Sequence, residues 1–94
     1  MNTFFVYILK CCDGSYYVGH TDNIEKRMFE HKTGTFGGYT ARKSPVKLVF
    51  AQSFNLREQA FISERKIKGW TRAKKEALIK ENWNEISNLA KKKF

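Results

Sequence analysis

Phe4 to Leu9 is an unbroken apolar run, mostly aromatic and β-branched. A run this short suits a buried strand better than a helix. Asp13-Gly14 is a turn signal and Tyr16-Tyr17-Val18 reads as a second strand, so residues 4–10 and 15–20 are predicted to form a β-hairpin. From Thr21 the apolar spacing changes to four, with Ile24 and Met28 on one stripe of a predicted helix over 22–32. Thr21 or Asp22 is the expected cap, Asp22 with Glu25 forming a capping box, and Gly34 is the expected stop. Residues 46–52 return to strand character. Asn55 with Glu58 is a second capping box, opening a helix that runs to Lys68 and stops at Gly69. Thr71 is placed to cap a third helix over 72–81, with Ala73, Ala77 and Leu78 inward. Asn82 with Glu85 marks a last helical segment, with Trp83, Ile86 and Ala90 on one side.

These elements predict an α+β domain in the order β-β-α-β-α-α, a three-stranded antiparallel sheet flanked by helices. Ninety-four residues suit one such domain. Its expected extent is residues 1–82, with 83–94 as a basic helical tail packed on it or extending from it.

The hairpin register decides whether Tyr7 and Tyr17 can act together. A two-residue Asp13-Gly14 loop pairs Cys12 with Ser15 and Lys10 with Tyr17, which sends the two phenols to opposite faces. A loop one residue longer, or a bulge, is expected to pair Cys11 with Tyr17 and bring both phenols to one face. A site shared by the two tyrosines requires the longer loop or the bulge.

Charge narrows the partners. Lys and Arg number 18 against 9 Asp and Glu, a net charge of +9. From Arg65 to the end, ten basic residues face three acidic ones, so this third of the chain holds +7 of the excess. A polyanion is the expected partner, nucleic acid before an acidic membrane. No apolar run approaches the ~20 residues that span a bilayer, and the N-terminus lacks the pattern of an export signal. Cys11 and Cys12 are adjacent, a poor geometry for a bridge and the wrong spacing for zinc. The cytoplasm is the expected compartment.

Several side chains have placements that bulk packing does not require. Arg27 and His31 lie four apart, on one face of the first helix. Glu64 interrupts the apolar stripe of Leu56, Ala60 and Ile67, and a carboxylate there is costly unless paired or bound to a metal. The segment 33–45, TGTFGGYTARKSP, is long for a plain connection and carries aromatic and basic residues, Arg42 and Lys43 among them. Taken singly, each has an ordinary reading: a core tyrosine with its hydroxyl at the rim, a surface arginine, a last-turn histidine, a carboxylate at the edge of a stripe.

Taken in order, Phe5-Val6-Tyr7, Tyr17-Val18-Gly19, Arg27, His31 and Glu64 resemble the GIY-YIG nuclease family. The resemblance covers roughly residues 4–80 and is closest to small single-domain bacterial members, which share His31 with Gly34, Thr40 and Pro45, and Glu64 with Lys68. Phe5 stands where the first motif has glycine, and His20 where the family's excision-repair nucleases carry lysine. The family commonly joins this module to a separate DNA-binding domain, and none is expected here.

The resemblance implies an endonuclease that hydrolyses phosphodiester bonds in DNA with one divalent ion, Mg²⁺ or Mn²⁺, in a repair or structure-selective role. RNA is left open as a substrate. Glu64 would hold the metal. Arg27 would bind the phosphate. Tyr7 or Tyr17 would take a proton from the attacking water, and His31 would support the phenolate. Gly19, His20, Lys26, Arg42, Lys43 and Lys68 are the expected nucleic-acid contacts, Gly19 either letting DNA approach the backbone or ending its strand. The alternatives are a binding module of the same fold with little or no activity, and an accessory protein whose basic tail docks an acidic protein.

Overall fold

The computed structural model describes residues 3–34, 43 and 45–80. Three strands and three helices occur among them: β1 (Phe4–Lys10), β2 (Tyr16–Thr21), α1 (Ile24–Thr33), β3 (Lys47–Phe54), α2 (Arg57–Lys68) and α3 (Arg72–Ile79). The sheet order is β2-β1-β3, antiparallel throughout. The expected α+β class and element order hold. The expected boundary at residues 82 and 83, the tail beyond it, Thr40 and Arg42 lie outside the described residues.

The hairpin loop is longer than two residues. Cys11 N–H donates to Ser15 O (2.8 Å) and Gly14 N–H to Cys11 O (2.9 Å), so Cys12, Asp13 and Gly14 form a three-residue loop. Gly14 takes the left-handed conformation (φ 85°) that this turn needs in its last position. Asp13 Oδ1 accepts from the Ser15 backbone and hydroxyl at 3.0 and 2.6 Å, which fixes the turn. Tyr17 therefore lies opposite Leu9. The expected partner, Cys11, is instead in the closing pair, but the parity is the one that a shared site requires.

Alternation along β1 divides the core. Val6 and Ile8 face α2 and α3 and pack with Val18, Ala60, Ile67, Ala77 and Leu78. Tyr7 and Leu9 face the other way, with Cys11, Val46, Ile24 and Met28. Both faces of the central strand are thus covered, which is why its apolar run is continuous. One extra residue in β3, Val49, shifts the register between Ile8 and Leu9 and turns inward against the first cluster.

Four local expectations are corrected. Asn23, rather than Thr21 or Asp22, caps α1: its side chain accepts from Lys26 N–H (3.0 Å). Thr21 Oγ1 accepts from Asn23 N–H (3.1 Å) and so holds the cap residue in place. At α2 the cap position is Leu56, with no side-chain bond, so Asn55 stands one residue too early for a capping box. Leu56 is 57% exposed and leaves the apolar stripe, and Ala73 faces solvent while Lys74 is buried. The Lys74 stem lies against Trp70, with its ammonium 4.6 Å from the ring centre. Thr71 caps α3 as expected, accepting from Lys74 N–H at 3.2 Å, and Gly34 ends α1 at φ 75°.

Candidate active site

The site begins with the bare α-carbon of Gly19. Gly19 lies opposite Tyr7 and within β2, which continues to Thr21, so the glycine does not end the strand. The Tyr7 ring lies across it: an added β-carbon would stand 2.6 Å from the Tyr7 hydroxyl and 3.1 Å from a Tyr17 ring carbon. The glycine lets the phenol of a central strand cross its neighbour. Tyr17, two positions back on the same face, meets it with ring centres 6.3 Å apart.

α1 delivers His31 and Arg27 to this pair, one helical turn apart. His31 is fully buried, edge-on to both phenols with ring centres 5.9 Å from Tyr7 and 5.3 Å from Tyr17. Its Nε2 is 3.1 Å from the Tyr7 hydroxyl. Arg27 donates to the same hydroxyl and holds its positive charge close by, while its Nε is 3.3 Å from Glu30 Oε1. Because a guanidinium only donates, the Tyr7 oxygen accepts from Arg27 and its own O–H is left for Nε2.

Electrostatics agree with that assignment. Burial first, then the Arg27 charge, pushes the His31 imidazolium below its ordinary range, so the ring is neutral at neutral pH. Burial, Tyr17 and Glu64 push the Tyr7 phenol well above its ordinary value against the opposing influence of Arg27. Tyr17 is raised in the same way, by burial and then by Glu64, with Arg27 again opposing. Both phenols are therefore protonated at neutral pH in the protein alone.

Glu64 arrives from α2 on the other side of the sheet and is 8% exposed. His20 on β2 donates from Nδ1 to its Oε1 (2.9 Å), and Lys68 Nζ lies 3.5 Å from Oε2. Glu64 and Lys68 line an open cleft of about 330 Å³ with Phe61 and Arg65. Phe61, 42% exposed, stands edge-on to His20 at 5.6 Å, and Arg65 covers its ring at 5.6 Å. Phe61 and Arg65 escape the sequence reading. Their signal is the spacing Phe61, Glu64, Arg65, Lys68, which falls on one helix face.

The remaining candidates are not gathered here by any described contact. Lys26 is exposed in the first turn of α1. Lys43 pairs with Asp13 at 3.0 Å, and its carbonyl accepts from Cys12 N–H (3.1 Å), so this residue ties its segment to the hairpin loop. Arg42 lies outside the described residues.

Glu64 is the one buried carboxylate among the described residues, and no group of three or more His, Cys, Asp or Glu that could hold a metal ion occurs among them. That donor set does not suit zinc, which takes three or four protein ligands. A lone carboxylate beside an open cleft does suit an ion of the magnesium class, which keeps its waters and binds through one or two carboxylates plus substrate phosphate. No helix among the described residues is long and apolar enough to cross a membrane.

Comparison with known proteins gives the family. Residues 3–77 match the family described as the GIY-YIG catalytic domain, a nuclease family whose members typically use divalent metal ions. The chain is 41% identical to the UPF0213 protein YazA of Bacillus subtilis (strain 168) over 83 residues, 88% of this chain and 84% of that protein. It is 39% identical to a UPF0213 protein of Bacillus pumilus over 77 residues, 82% and 79% of the two chains. The solution NMR structure of a UPF0213 protein from Bacillus halodurans is similar with a TM-score of 0.55 at 37% identity, covering 83% of each chain. A solution structure from E. faecalis gives 0.61 at 36% identity, covering 86% of each.

Proposed function

We infer the activity of this chain from the family to which it belongs, the GIY-YIG catalytic domains, and propose that it is a divalent-metal-dependent endonuclease cutting phosphodiester bonds in DNA. The observation that carries the reading is the convergence of Tyr7, Tyr17, His31 and Arg27 from three elements, with Glu64 close enough to act on both phenols. A purely structural core has no use for a buried phenol bonded to an imidazole, with a second phenol and a guanidinium set against them.

In this reading Arg27 holds the scissile phosphate through its N–H donors and offsets the charge that grows in the transition state. Tyr17, the less buried phenol, faces the attacking water. Tyr7, fully buried, links Arg27 to His31 and keeps both in place. The reactive form is Tyr17 that has first released its own proton to solvent. As water oxygen bonds to phosphorus and the bond to the leaving sugar oxygen breaks, the water proton passes to the phenolate oxygen, and the leaving oxygen takes up a proton from solvent. The neutral His31 ring supports the charge shift from behind. When bound at Glu64, a Mg²⁺ or Mn²⁺ ion would polarise the phosphate, stabilise the leaving oxygen and offset the negative charge that Glu64 presents to the phenols. Arg27 already acts in the last of these directions. General-base assistance of this kind is worth roughly 10²–10⁴-fold. His20 and Lys68 orient the Glu64 carboxylate. The two free cysteines, Cys11 and Cys12, fit action in the reducing cytoplasm, where repair or structure-selective cutting is the proposed role.

The test is incubation of the pure protein with supercoiled plasmid and with branched DNA, with Mg²⁺ or Mn²⁺ or with chelator, beside Glu64→Gln and Arg27→Ala. Cutting by wild type alone, and only with metal, is the expected result. Equal cutting by all three proteins would overturn the assignment. DNA binding with no cutting by any would favour the binding module.

A further inference from the structure

Lys10 ends β1, and the register sets it directly opposite both Tyr16 on β2 and Lys47 on β3. Like charges directly opposite across antiparallel strands repel and are destabilising. Lys80, just past α3, lines the same cleft, which has a volume of about 290 Å³. Among the described residues none of these three ammonium groups has a carboxylate within ion-pair distance. Glu76 lines the cleft too, but its Oε2 already accepts from the Tyr16 hydroxyl (3.2 Å) and lies 3.9 Å from Arg72. The Tyr16 ring is fixed between that bond and the Arg72 guanidinium, 4.8 Å from its centre. Val49 and Ile79 supply an apolar floor. A cationic row above a rigid aromatic and apolar surface matches the sugar–phosphate backbone of a nucleic acid, with phosphate on the lysines and sugar on the ring.

We propose that Lys10, Lys47 and Lys80 form a phosphate-binding site for a nucleic-acid backbone, separate from the Glu64 centre. The proposal rests on the nuclease reading for the identity of the polymer. Tyr16 and His20 lie on the same face of β2, four residues apart, or about 13 Å. That is about four base steps along a duplex axis. A strand seated at Glu64 would thus offer a nearby phosphate to the three lysines.

The test measures binding alone. A labelled DNA duplex is titrated in chelator, without cutting, over a range of salt, against wild type, Lys10→Gln/Lys47→Gln, Lys80→Gln and a control, Lys32→Gln on the exposed side of α1. The double variant is expected to lose about tenfold in affinity at low salt and to flatten the slope of log K against log salt by about one or more. Lys80→Gln should give a smaller loss of the same kind. The glutamine variants should melt no lower than wild type, because they relieve repulsion. Slopes equal to that of Lys32→Gln would overturn the proposal. Inorganic phosphate supplies the second arm, followed by NMR at the Lys10 and Lys47 amides. Shifts with phosphate, but no lysine dependence of DNA binding, would make this a site for free phosphate and overturn the assignment to a strand. A lysine-dependent slope in a protein that cuts nothing would uphold this site while sinking the nuclease reading. Cutting with unchanged slopes would do the reverse.

Discussion

The Tyr7 ring occupies the space that a side chain on Gly19 would fill, with 2.6 Å left between its hydroxyl and an added β-carbon. The neighbour is a fully buried aromatic ring and cannot swing aside. Gly19→Ala should therefore force the ring from its place at a cost of roughly 1–3 kcal/mol, as overpacking does. A domain this size should lose about 4–8 °C of melting temperature per kcal/mol. Cutting should fall further than stability, since the displaced hydroxyl carries the contacts to Arg27 and His31. Thermal melts with activity assays below the variant's melting temperature separate the two effects.

Removing that hydroxyl without adding bulk makes a different prediction. Tyr7→Phe leaves His31 Nε2 buried without its donor, which should cost about 1–3 kcal/mol. Tyr17→Phe removes the more open phenol and should cost less in stability and more in rate. If Tyr7→Phe destroys turnover while Tyr17→Phe retains it, Tyr7 is the proton acceptor and the roles given above are exchanged. Single-turnover cutting with each variant decides this.

His31 gives a pH signature. Its imidazolium is disfavoured in the folded protein, so the unfolded chain binds the extra proton more readily. Stability then rises with pH wherever the unfolded state holds more protons. The contribution is fully favourable above the ordinary histidine value of about 6.5, and is lost as pH falls from there through the lowered folded value. Wild type should melt progressively lower below about pH 6.5, and His31→Gln should flatten that dependence above the carboxylate range. An identical slope in both proteins would show that His31 is not the linked group.

Arg27 contributes to the same shift, and its removal has a stated sign. Its positive charge lowers His31 and opposes the rise of Tyr7. Arg27→Ala should move the His31 titration upward, seen directly by NMR at the imidazole carbons. Arg27→Lys should keep much of the electrostatic effect but lose the planar pair of donors, and so should lower cutting while leaving the His31 titration near its wild-type place. A charge effect and a phosphate-binding effect would thus come apart in two variants.

Much of this arrangement is legible in the chain because few local rules compete along it. The unbroken run of Phe4 to Leu9 suits a buried strand better than a helix, and Glu64 stands out because its neighbours on the stripe are apolar. The hairpin register is less accessible. Asp13-Gly14 fits a two-residue and a three-residue loop alike, and the choice is made by Cys11 pairing with Ser15 and by Asp13 holding Ser15. Phe61 and Arg65 are not legible in the chain because an exposed aromatic beside a cation is common on helices, and only the tertiary approach of His20 gives the pair a place at the site.

Helix caps show the same limit, and they can be tested by mutation. Thr21, Asp22 and Asn23 are three successive residues able to cap, and pattern alone prefers Asp22 with Glu25. In the fold Asp22 turns outward, 3.5 Å from Arg57 of α2, in an exposed pair of little worth. Asn23 takes the Lys26 N–H, held by Thr21. Asn23→Ala should therefore cost about 0.5–2 kcal/mol, and Thr71→Ala a similar amount at α3. Asp22→Ala should stay within about 1 kcal/mol of wild type, and Asn55→Ala, which removes no cap, within about 0.5 kcal/mol. Urea titrations of the four variants check the order. A loss at Asp22 as large as that at Asn23 would restore the capping box and move the start of α1, and with it the phase that sets Arg27 and His31 against Tyr7.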